Sequence, residues 1–143
     1  MLVPLAIGLW VFALVADVAT AAGGAPGWRT AAFYAIGAGV AGALLAAVPG
    51  LIDLLSLPAG RKRRLGVWHM AINLLAVAVF SLNFLLRSRA FDREGSLALT
   101  ALGVVLIGIS GWLGGELVYR EGVGVHPAAR PEEARPARDT RAA

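Results

Sequence analysis

An all-α bundle of four membrane-spanning helices, antiparallel in up-down order, is the fold this sequence predicts. Three observations carry it. Four apolar spans, residues 1–22, 30–52, 65–86 and 95–115, follow one another, each 21–23 residues long. As a helix, each can cross a hydrocarbon core of about 30 Å. Together the spans hold one charged side chain, Asp17, and one imidazole, His69. Finally, apolar residues make up 58% of the chain at a mean hydropathy of +0.72, and the 15% that are charged gather in the connections and the tail. That leaves too little polar surface to coat a soluble domain.

Each element follows from local signals. Helix 1 is expected over residues 2–22, ended by Gly23-Gly24-Ala25-Pro26-Gly27. Ala19-Thr20-Ala21 resembles a signal-peptidase site. No Lys or Arg precedes the apolar stretch, however, and Asp17 interrupts it, so an uncleaved helix is expected. Helix 2 is expected over residues 30–57, kinked at Pro49-Gly50 because proline lacks a donor and crowds the preceding turn. Leu57-Pro58-Ala59-Gly60 ends it. Helix 3 is expected over residues 65–86, followed by a charged loop over 87–95, and helix 4 over 96–119. The spans give a transmembrane domain over residues 1–125. Gly, Pro, Ala, Glu and Arg dominate beyond it, so residues 126–143 are expected to form a disordered cytoplasmic tail.

Short connections force neighbouring helices to run antiparallel. Both termini and the 58–64 connection then share one side. It carries nine basic residues: Arg61, Lys62, Arg63, Arg64, Arg120, Arg130, Arg135, Arg138 and Arg141. The other side carries four: Arg29, Arg87, Arg89 and Arg93. The positive-inside rule therefore places both termini in the cytoplasm of a bacterial inner membrane. The net charge of +4 and pI near 10.7 reflect these flanking residues and point to lipid head groups, not nucleic acid. Trp28, Trp68, Trp112 and Tyr119 lie near span ends, where aromatic residues meet the head groups. Small residues recur at Ala35, Gly39, Ala43 and Ala47 on helix 2, and at Gly108, Gly111 and Gly115 on helix 4. Such stripes suit close packing within the bundle, or between copies in a homo-oligomer.

Polar residues inside a membrane are costly, which makes each a candidate site. Topology gathers Asp53, His69, Asn73 and Glu116 into one layer near the cytoplasmic face. Asp17, Asn83 and Arg87 form a second layer toward the opposite face. His69 and Asn73, at i and i+4, share a helical face. On a functional reading of the first layer, His69 is a metal ligand, a haem ligand or a proton acceptor, with Asp53 or Glu116 orienting it. Such a site would serve electron transfer, or a small transporter or proton pathway. On a structural reading the layer is an interfacial network of ion pairs and hydrogen bonds. It needs no cofactor, because Arg61, Lys62, Arg63, Arg64 and Arg120 lie close in sequence to the two carboxylates. These cations offset the unfavourable placement of an anion at a helix C-terminus, worth about 0.3–1 kcal/mol. Asp17 is expected to pair with Arg87 or Arg89. A bis-histidine haem needs a second axial histidine, and the chain offers only His126, beyond helix 4. There is no cysteine, which excludes disulfides and thiolate chemistry. No nucleophile elbow, P-loop, zinc-protease or dinucleotide motif is present, and no catalytic residue is assigned.

Gly111-Trp-Leu-Gly-Gly-Glu-Leu-Val-Tyr-Arg-Glu-Gly-Val-Gly-Val125 resembles the end of a bacterial membrane-protein family designated domain of unknown function 2231. Val48-Pro-Gly-Leu-Ile-Asp53, His69 with Asn73, and the opening Leu2-Val-Pro-Leu-Ala-Ile-Gly8 fit the same family, so the resemblance spans about residues 2–126. It implies a four-helix inner-membrane protein. Some members look linked to Rieske-type iron–sulfur domains, which implies a membrane redox partner. Relatives often place a His-Pro pair just before helix 1, where this sequence reads Met1-Leu2-Val3-Pro4. A two-histidine site is correspondingly harder to build. The function expected is that of a structural or accessory membrane module, without an enzyme activity.

Overall fold

The structure is a computed structural model that describes residues 3–89 and 97–125. Four helices follow in order: α1 (Val3–Ala21), α2 (Gly27–Ser56), α3 (Arg61–Arg89) and α4 (Leu97–Tyr119). All four are long and apolar enough to cross a membrane. The tail over 126–143 with His126, the first residue expected for helix 4, and Arg93 lie outside the described residues.

Pro4 sits in the first turn of α1, where a missing N–H costs nothing. α2 starts directly after Pro26 and runs without a break through Pro49 to Ser56. Its 30 residues make a rod of about 45 Å, longer than the hydrocarbon core, so it must tilt or reach into the head groups. The connection to α3 turns on Gly60, whose φ of +143° is open to glycine but strained for other residues. α3 differs from the sequence expectation at both ends. It begins at Arg61, so the basic cluster forms its first turn, and it continues through Arg87 to Arg89. Charge at a helix end masks the boundary in a hydropathy reading, because lysine and arginine are good helix formers.

The helices form a four-membered ring in which α1 packs on α2 and α4, and α3 packs on α2 and α4. Along the α1–α2 seam, Ala6, Ala13, Ala16, Ala32, Ala35, Gly39 and Gly42 are buried, and small side chains let the two backbones approach. Large side chains bridge the diagonal. Trp10 of α1 stacks on Phe80 of α3 at 4.2 Å between ring centres, with the planes 8° apart. The Trp10 indole N–H donates to the Ile36 carbonyl at 3.3 Å. Gly39 and Gly103 make room for this pair, since a Cβ on Gly39 would strike the indole nitrogen and one on Gly103 the Phe80 ring.

The outside of the bundle is apolar. Val11, Val15, Leu44, Leu45, Val48, Ile52, Leu75, Leu85 and Val105 are all exposed, while Asn83, Thr100 and Ser110 are buried. Such a surface has no stable arrangement in water and a ready one in lipid.

Candidate functional site

Two groups of polar side chains occupy opposite ends of the bundle. The first joins α1, α3 and α4. Arg87 meets Asp17 in a bidentate pair, Nη1 to Oδ1 at 2.9 Å and Nη2 to Oδ2 at 2.6 Å. Its Nε donates to Asn83 Oδ1, one helical turn back, at 3.0 Å. The Thr100 hydroxyl donates to Asp17 Oδ2 at 2.6 Å and accepts from Asn83 Nδ2 at 2.8 Å and Arg87 Nη2 at 3.2 Å. All four side chains are at least 94% buried. The site works because α3 continues past Arg87: a helical Arg87 lies directly above Asn83, whereas an arginine in a loop would have no fixed direction. Of the two arginines the sequence offered to Asp17, Arg87 makes the pair, and the side chain of Arg89 lies outside the described residues. Desolvating two charges is expensive, but here their separation and the extra hydrogen bonds use the groups fully.

The second group joins α3 and α4. His69 is half-buried, and its Nδ1 lies 2.8 Å from the Ser110 carbonyl oxygen, which can only accept. Nδ1 therefore carries the proton, and Nε2 is the acceptor. Asn73 Nδ2 fills that role as donor at 3.1 Å, and also donates to the His69 carbonyl at 3.0 Å. That second bond fixes which way the Asn73 amide points. The Ser110 hydroxyl donates to the His69 carbonyl at 3.3 Å and lies 3.0 Å from Nδ1. Gly114 leaves space for the ring, since a Cβ there would press on its Cε1 atom.

Of the residues expected in this layer, Asp53, His69 and Asn73 line one cavity of about 330 Å³. Asp53 is exposed near the end of α2. Glu116 turns away from the cavity to pair with Arg120 at 3.0 Å. Among the described residues, no three of His, Cys, Asp and Glu come together as a metal-binding group. The floor of the cavity is formed by Trp10, Val77 and Ile107, and Leu57, Leu117 and Val123 stand at its mouth. Gly122, with φ +64°, turns the chain back after α4 so that the Val123 N–H reaches the Leu117 carbonyl at 2.9 Å. Beside it Glu121 accepts from Arg61 Nε at 3.0 Å, tying the end of α4 to the start of α3.

Sequence reasoning missed Thr100 and Ser110, which complete the two groups. The available signal was their shared face: Thr100, Gly103, Ile107, Ser110 and Leu117 form the buried stripe of α4. The glycines singled out on α4 fall elsewhere. A Cβ at Gly108 or Gly111 would meet nothing. The contacts that require a missing side chain are at Gly103 and Gly114.

Four lipid-facing spans closed by internal polar pairs define an integral, four-span membrane protein. The chain belongs to the family described as predicted membrane protein, domain of unknown function 2231, which matches residues 1–127. No curated protein and no solved structure matches it.

Proposed function

We propose that the chain is a non-catalytic structural or accessory module of a bacterial inner membrane, with both termini and the connection around Gly60 in the cytoplasm. One observation carries this reading: the buried charges and the histidine inside the bundle are occupied by neighbouring groups. Asp17 and Arg87 neutralise each other, and both ring nitrogens of His69 are engaged by Asn73 and Ser110. A haem iron or metal ion would have to displace Asn73 from Nε2, or Ser110 from Nδ1. The orientation rests on the basic residues. The count is nine on the Gly60 side against four, Arg29, Arg87, Arg89 and Arg93, on the other.

Because the chain has no cysteine, single-cysteine labelling reads topology directly. Gly60→Cys is expected to resist a membrane-impermeant thiol reagent in intact cells and to react once they are permeabilised, while Ser88→Cys reacts from outside. The reverse pattern overturns the orientation. Absorption spectra and metal analysis of protein extracted in mild detergent test the module reading. It expects neither a Soret band nor stoichiometric metal. Either signal, lost on His69→Ala, would replace it with an electron-transfer role. Ion or proton flux in proteoliposomes, lost on neutralising Asp17 and Asp53, would replace it with a transport role.

A further inference from the structure

We propose that the cavity at the Asp53 end is a binding site for an amphipathic cation, a small apolar organic body bearing a primary ammonium group. At about 330 Å³ it falls in the lower range of small-molecule sites. Its α2 wall is built of small side chains, Ala43, Ala46, Ala47 and Gly50, with Met70 and Val77 of α3 also lining the space. From Ala43 to Asp53 the α2 wall is about 15 Å deep.

The polar atoms on this wall decide the ligand. Among the described residues, Asp53 is the one charged side chain lining the cavity, and no Lys or Arg lines it. Asp53 enters no ion pair among the described residues, in contrast to Asp17, Glu116 and Glu121. Deeper in, the Asn73 amide nitrogen is committed to His69 Nε2 and the His69 carbonyl, and among the described residues no hydrogen bond occupies its Oδ1. The His69 Nδ1–H and the Ser110 hydroxyl are likewise turned toward backbone carbonyls of the bundle. The cavity thus offers a carboxylate at its mouth and an amide oxygen within, while its side-chain donors are already engaged. A carboxylate or a quinone carbonyl would find no free side-chain donor there. An ammonium group would find acceptors at both depths, and the apolar walls would take the rest of the molecule.

The test uses the full chain in phosphatidylcholine nanodiscs, with equilibrium dialysis against 2-(1-naphthyl)ethylammonium and empty nanodiscs subtracted. Saturable one-to-one binding is expected, about tenfold tighter than for the uncharged alcohol of the same shape. The corresponding naphthylacetate and a short-chain quinone should not bind above background. Asp53→Asn, a change at an exposed site, should erase the preference for the ammonium over the alcohol. Ala47→Phe should weaken both by filling the space. If phosphatidylethanolamine in the nanodiscs competes, the natural ammonium belongs to a lipid head group; if it does not, the ligand is a free amine. Binding of the anion or the quinone as tightly as the ammonium overturns the proposal. So does a preference that survives Asp53→Asn, or uptake no greater than by empty nanodiscs.

Discussion

The two ends of the bundle solve the problem of polar groups in lipid in opposite ways. At the Arg87 end, four side chains from three helices are buried and each of their polar atoms has a hydrogen-bond partner. The network binds α1, α3 and α4 together. At the His69 end the hydrogen bonds run along one wall, between α3 and α4 only, and the middle stays open. The same ring of helices is therefore a clamp at one end and a cup at the other. A saturated network makes rigidity, and a wall with acceptors left over makes a place for something else.

The clamp predicts the largest effect. Arg87→Met strands the Asp17 carboxylate in an apolar interior and should cost about 3–5 kcal/mol, measured by reversible unfolding in mixed detergent micelles. Adding Asp17→Leu should recover much of that loss, since replacing both partners removes the unpaired charge. If the double variant is no better than the single one, the clamp is not an ion-pair device. Gly39→Ala tests the boundary between the two ends. Its methyl group would strike the Trp10 indole, so a loss of about 1–3 kcal/mol is expected, together with a changed near-ultraviolet circular dichroism from the displaced Trp10–Phe80 stack. Ser110→Ala should cost about 1 kcal/mol in the same unfolding assay, because Nδ1–H keeps the backbone carbonyl as acceptor. Asp53→Asn should shift stability by no more than about 0.5 kcal/mol. A large loss there would mean that Asp53 holds the bundle together and that the cup is structural as well.

How much of this could be read from the sequence follows from one physical fact. Asp17 and His69 stand out because they interrupt long apolar runs, so the spans, the turns and the neighbourhood of Asp17 with Arg87 were legible. The inward face of each helix was not. A soluble helix announces its buried side by hydrophobic periodicity, but these helices are apolar all round, with leucine and valine facing outward and alanine, glycine, threonine and serine facing in. Thr100 and Ser110 were hidden for that reason, and Gly108 and Gly111 drew attention that belonged to Gly103 and Gly114. The end of α3 was misplaced because Arg87 looks like the start of a loop in hydropathy. Its real role depends on Asp17, seventy residues away.

Trp10, stacked on Phe80, forms the floor of the cup with Val77 and Ile107, midway through the bundle. Solution entering from the Asp53 side would carry its electrical potential inward as far as that aromatic layer. The voltage across the membrane would then fall over the remaining thickness, of which the stretch from Trp10 to Asp17 spans about 10 Å of helix. In electrical terms the stack is the dielectric of a thin capacitor, and the Asp17–Arg87 pair sits as a neutral dipole on its far side.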